Sequence, residues 1–127
     1  MASLEELADG VYLLPGRVNI GFICHEDGCY MVDTGIDDDQ ARKALRALGK
    51  LGLELKAVVN THSHADHIGG NSFVKRRAGV PILAPEAELP FVRMPLLEPM
   101  MLYGGCPIGD LRSKFFAAKP SDAEALE

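Results

Sequence analysis

Six consecutive positions, His62-Ser63-His64-Ala65-Asp66-His67, hold three of the chain's four histidines and an aspartate. Imidazole nitrogen and carboxylate oxygen are the donors that zinc, iron and manganese accept, so the run reads as a metal site. His62 and His64 are two apart. At the frayed end of a strand, side chains at that spacing project to the same side, and the two can share one ion. Asp66 and His67 follow after the chain has begun to turn and can aim at a second position beside the first; paired hydrolytic metals sit about 3.5–4 Å apart. The pattern is not the helical H-E-x-x-H of zinc proteases, whose histidines lie one helical turn apart. It is a loop motif, and Gly69-Gly70 lets the backbone pass close to a bound species.

The elements around this run are legible as alternating strands and helices. Leu55-Lys56-Ala57-Val58-Val59-Asn60 has the β-rich character of a strand and delivers the chain to His62. Val11-Tyr12-Leu13-Leu14 and Ile20-Gly21-Phe22-Ile23-Cys24 are two further strands, broken by Pro15-Gly16. His25-Glu26-Asp27-Gly28 joins the latter to Cys29-Tyr30-Met31-Val32 as a hairpin turn with Gly28 free to take a positive φ, which makes His25 a solvated turn residue and not a ligand. Asp37-Asp38-Asp39 precede Ala41, Ala44, Leu45 and Leu48 at helical spacing and are expected to cap a helix instead of holding a cation. Gly49 and Gly52 should end it, and strand, helix, strand implies a right-handed parallel crossover.

A second helix is expected from His67 or Asn71 to Ala78, with Lys75, Arg76 and Arg77 solvated at its negative end and Gly79 as its stop. Pro81-Ile82-Leu83-Ala84 reads as another strand. From Pro85 to Pro107 five prolines should break regular structure, and Met94, Met100 and Met101, with Leu96, Leu97, Leu102 and Tyr103, are expected to fill core gaps more readily than to line a groove. Asp110 to Ala118 can form a short amphipathic helix that buries Leu111 and Phe115, and residues 119–127 are expected to be a mobile tail.

The His62-x-His64-x-Asp66-His67 signature after a short strand, with Asp33-Thr34-Gly35 closing the strand one crossover upstream, resembles the metallo-β-lactamase superfamily of metal-dependent hydrolases from Gly10 to Ala84. That resemblance implies an α/β fold, a four-layer αββα sandwich of two similar halves. Residues 1–127 correspond to one half-domain: a mixed β-sheet with helices on one face, expected to be completed by self-association. By the same resemblance His62 and His64 bind a first metal, Asp66 and His67 a second, and Asp33 braces the site from behind. Asp66 is then also the catalytic carboxylate that orients the attacking hydroxide. One or two Zn2+ ions are implied, with Fe or Mn as alternatives, and a site without metal in the isolated chain stays open. The family's later ligands, a histidine, a bridging aspartate and a final histidine, come from the second half, and no histidine follows His67 here.

Three readings follow from that departure. The first is a zinc-type hydrolase of small-molecule esters, thioesters or lactams, weakly active or inactive as this chain alone. The second is a non-catalytic metal-binding half-domain that homodimerises. The third is an iron-dependent oxidoreductase of the same superfamily.

Composition narrows the partners. The formal charge is −5, and no basic cluster stands beyond Lys75-Arg76-Arg77, which disfavours nucleic acid. No apolar run reaches the roughly 18–20 residues of a membrane span, and Leu4-Glu5-Glu6-Leu7 is acidic where a signal sequence would be basic; the expected compartment is the cytoplasm. Cys24, Cys29 and Cys106 are odd in number and lack C-x-x-C spacing, so they read as reduced thiols. Met1-Ala2-Ser3 and Leu126-Glu127 resemble residues left by cloning sites, a natural short paralogue being the alternative, and carry no weight in the fold reasoning.

Overall fold

The computed structural model describes residues 3–126; Met1, Ala2 and Glu127, among the residues read as cloning remnants, lie outside them. The chain forms a seven-stranded mixed sheet whose strands stand in chain order. β1 (Glu5–Ala8), β2 (Val11–Leu14), β3 (Ile20–His25) and β4 (Gly28–Val32) run antiparallel. β5 (Leu55–Val59), β6 (Ile82–Ala84) and β7 (Glu124–Ala125) then add in parallel. The parallel β4–β5 pairing is the crossover expected from strand, helix, strand.

Between them lies α1 (Asp38–Lys50), which starts where the Asp37 carboxylate accepts the Gln40 N–H at 3.0 Å, an N-cap that satisfies a donor with no partner inside the helix. The helix runs through Gly49, and Gly52, at φ 69°, makes the left-handed turn beyond it. α2 (Ala65–Ile68) and α3 (Asn71–Ala78) follow, with Gly79 in the left-handed cap foreseen for it. The proline-rich stretch is broken as expected, but into α4 (Leu89–Arg93) and α5 (Leu97–Tyr103), with a 3-10 turn at Glu86–Glu88.

The sheet register explains where the core sits. Phe22, Met31, Val58 and Ile82 stand side by side across four strands and all are fully buried. They join Ala41, Ala44 and Leu48 of α1 and Phe73 and Val74 of α3 in one apolar cluster. The neighbouring row, Leu13, Gly21, Val32, Val59 and Leu83, points to the other face by the two-residue period of a strand. It is apolar yet only partly buried, and Ile23 on the same face is 44% exposed.

Several expectations are corrected. Cys24 and Cys29 are opposite one another in the β3–β4 register and form a disulfide, leaving Cys106 as the free, exposed cysteine. Parity and spacing along the chain cannot see a cross-strand pairing. Asp110 to Ala118 is not an amphipathic helix: a 3-10 turn covers Gly109–Arg112 and Phe115 is 54% exposed. Within residues 119–127, Ser121 and Ala123 are buried and β7 pairs with β6. Met94, Met100, Met101, Leu102 and Tyr103 are exposed instead of filling the core, because α5 lies over the histidine loop, outside the main cluster.

Candidate metal centre

β4 and β5 end side by side, and the candidate residues occupy the segments that leave them, Asp66 and His67 within α2. Asp33 follows β4 directly and is the only non-glycine with positive φ among the described residues, at 63°. Aspartate tolerates that conformation better than most side chains, and its conformational cost is offset here by what the carboxylate does. One oxygen accepts the Thr61 N–H at 2.8 Å; the other accepts the Thr61 hydroxyl at 2.7 Å and the His67 Nδ1 at 3.0 Å. Asp33 thus joins the turn after β4 to Thr61 and His67 through one carboxylate.

These bonds fix the tautomers of two histidines. The single Thr61 hydroxyl proton goes to Asp33, so the same hydroxyl can only accept from His62 Nδ1, 2.8 Å away. His67 Nδ1 likewise faces a carboxylate that can only accept. In a neutral ring this places the proton on Nδ1 and leaves Nε2 for a metal, the arrangement in which histidine binds metal with its other nitrogen held by an acceptor. The His62 and His67 ring centroids are 4.2 Å apart, and Asp33, His62 and His67 offer ligand atoms all within 4.8 Å of one another.

The other two candidates flank this group. The His64 ring lies 4.7 Å from that of His62, and its Nδ1 meets the Glu98 carboxylate from α5, leaving its Nε2 open. Asp66 is 46% exposed with Oδ1 3.8 Å from His67 Nε2. All four residues of the motif are thus brought to the carboxyl ends of the sheet strands, with Asp33 rather than His64 or Asp66 completing the tightest set.

A buried polar network that sequence reasoning missed supports the loop. The Thr34 hydroxyl donates to Asn71 Oδ1 at 2.8 Å, Asn60 and Asn71 exchange side-chain amide bonds at 3.0 and 2.7 Å, and Asn71 also donates to Ser121. The Thr34 N–H donates to the His67 carbonyl at 2.9 Å, so the turn after β4 and the histidine run are joined by backbone as well. Gly69 and Gly70 press against this turn: a Cβ on Gly69 would fall 1.9 Å from the Ile36 carbonyl oxygen, and one on Gly70 2.5 Å from that of Thr34. Their smallness serves approach to the protein's own chain, a correction to the expectation that they admit a bound species. Glu88, which accepts from the Ser63 hydroxyl, and Glu98 were also missed; neither carries a signal distinguishing it from any other helical glutamate.

Beside the histidines opens a cleft of about 560 Å³, shared by Asp66, His67 and the aromatic side chains of Tyr103, Phe115 and Phe116. It has the size of a small-molecule site.

Comparison with known proteins gives a consistent picture. The family model of the metallo-beta-lactamase superfamily matches residues 13–124. A probable metallo-hydrolase of Bacillus subtilis (strain 168) is 44% identical over 78 residues, which are 59% of this chain and 33% of that protein. A hydroxyacylglutathione hydrolase of Gloeobacter violaceus is 48% identical over 46 residues, 36% of this chain and 18% of its own. A subclass B3 metallo-beta-lactamase of Bradyrhizobium japonicum superposes with a TM-score of 0.78 at 21% identity, covering 98% of this chain and 45% of that one. The chain thus spans less than half the length of the relatives it matches.

Proposed function

The chain belongs to the metallo-beta-lactamase superfamily, and from that premise we propose that it carries one half of the centre of a zinc-dependent hydrolase acting on small-molecule esters, thioesters or lactams. The observation that carries this reading is the pair of histidines, His62 and His67, whose Nδ1 atoms are both held by acceptors while their Nε2 atoms stay free. Imidazole and carboxylate donors are what zinc accepts, so the residues present fit the ion. His62 and His64 would hold one metal, and Asp66 with His67 a second. Asp33, whose oxygens accept three hydrogen bonds from Thr61 and His67, would brace these ligands.

When bound, such ions supply Lewis acidity toward a scissile carbonyl and bring the pKa of water to near 7. The chain's own residues do the rest. Asp33 keeps the His67 ring in one orientation and one tautomer, Thr61 does the same for His62, and Asp66, exposed at the cleft, orients the attacking water and accepts its proton. Ligands from this chain alone leave an ion less firmly fixed than a full set would, so turnover by the isolated chain should be weak. The test is metal analysis after purification, followed by a thioester hydrolysis assay with and without chelator. Zinc at one or two per chain, with weak hydrolysis abolished by chelation, supports the reading. Iron as the copurifying metal would favour the oxidoreductase branch instead.

A second reading, homodimerisation, is favoured by the uncovered sheet face. Leu13, Val32, Val59 and Leu83 form a continuous, partly exposed apolar row, and a second copy related by a two-fold axis would bury it. Sedimentation of wild type against Val59→Asp tests this: a dimer that the substitution converts to monomer supports it, and a wild-type monomer rejects it. As to compartment, no helix among the described residues is long and apolar enough to cross a membrane, and the Cys24–Cys29 disulfide removes the cysteine argument for a reducing cytoplasm.

A further inference from the structure

The part of the cleft formed by Arg17, Phe115 and Phe116 has a composition that selects a ligand. Arg17, in the β2–β3 connection, is the only lysine or arginine among the residues lining it. It is exposed, and its guanidinium lies 5.7 Å from the centre of the Phe115 ring. Among the described residues no carboxylate pairs with it, although Lys114 and Lys119 nearby are each engaged, with Asp37 and Asp38 at 2.8 and 2.9 Å. Arg17 thus lines a cleft that also holds the Asp66 and Glu98 carboxylates, and among the described residues its guanidinium makes no ion pair.

The first turn of α1 fastens both sides of this part of the cleft. Gln40 Nε2 donates to the Val18 carbonyl at 2.6 Å, which holds the loop carrying Arg17. Lys114 donates to Asp37 at 2.8 Å, which holds the turn carrying Phe115 and Phe116. Phe116 is in turn edge-on to Tyr103 at 6.2 Å. A guanidinium beside an aromatic surface, on a loop held in place, recognises a carboxylate joined to an apolar arm: the fork matches the two oxygens and the rings take the hydrocarbon.

We propose that Arg17 is the specificity residue of this cleft, receiving the carboxylate of an acyl substrate whose aromatic or aliphatic arm lies on Phe115, Phe116 and Tyr103. The placement of the scissile group at the Asp66 and His67 end rests on the hydrolase reading; the recognition of the carboxylate does not.

The test reads binding and not turnover. Chelator-treated protein is titrated with 3-phenylpropanoate and with its neutral amide, 3-phenylpropanamide, following 15N–1H chemical shifts for wild type, Arg17→Gln and Arg17→Lys. Wild type should bind the carboxylate about tenfold more tightly than the amide, as one charge-assisted bidentate contact supports. Arg17→Gln should bind both equally, with amide affinity unchanged, and Arg17→Lys should keep part of the preference. Equal binding of the two probes by wild type, or a preference that survives Arg17→Gln, overturns the assignment. A failed zinc titration on the same sample would instead count against the hydrolase reading and leave this result standing.

Discussion

The Asp33 carboxylate reaches His67 Nδ1 at 3.0 Å across 34 positions of sequence, and the same side chain holds Thr61, the residue next to His62. One buried group at the end of β4 thereby sets the two imidazoles that leave β5 and enter α2. Its left-handed backbone is the local conformation that turns the carboxylate toward both.

Asp33→Asn should keep the fold, because asparagine tolerates positive φ, while weakening the hold on His67. Zinc affinity is expected to fall about 10- to 100-fold, the usual effect of removing a group that orients a metal-binding histidine. Competition with a chromophoric chelator measures it, and an affinity equal to wild type would remove Asp33 from this role.

Gly69→Ala should disrupt the turn that follows the histidine run. The added methyl would meet the Ile36 carbonyl oxygen at 1.9 Å, and the obstacle is backbone that cannot rotate away. A loss of about 3 kcal/mol or more is expected in urea unfolding, at the upper end of overpacking costs. Gly49→Ala, where a Cβ meets nothing within 4 Å, should be harmless or stabilising.

Asp37 gives the molecule a defined acid dependence. A hydrogen bond from Lys114, and then one from the Gln40 backbone, hold its carboxyl below the ordinary value of 3.8. A folded-state pKa lower than the unfolded one contributes stability that is complete above the unfolded value and disappears as pH falls through the folded value. Asp37→Asn keeps the N-cap acceptor and removes the charge. Its deficit in stability relative to wild type should therefore be constant at neutral pH and shrink below about pH 4, as followed by circular dichroism at a series of pH values. A deficit that grows on acidification would contradict the assignment.

Much of the site was legible in the sequence because its determinants are local. The six-residue histidine and aspartate run and the strand feeding it announce themselves by residue type and spacing over a few positions, and the Asp33-Thr34-Gly35 turn was legible through the family resemblance. The Asp37 cap and the Gly79 stop were read for the same reason. What escaped depends on contacts between distant segments. The Cys24–Cys29 disulfide follows from strand register. The true neighbour of Gly69 is Ile36, 33 positions away. Asn71 finds Ser121 50 positions on, and that contact belongs to a tail whose small polar composition suggested mobility. Glu98 reaches His64 from a segment that its prolines had marked as irregular, and the exposed methionines around it follow from the same placement.

The central claim is that the histidine run holds a metal ion, and zinc titration by isothermal calorimetry tests it most directly, with wild type compared against the His62→Ala/His67→Ala double variant after removal of copurified metal. One or two zinc ions per chain bound by wild type, with binding abolished in the variant and its circular dichroism spectrum unchanged, is the expected result. Zinc uptake that is absent in wild type, or that survives in the double variant, would contradict the assignment of this site.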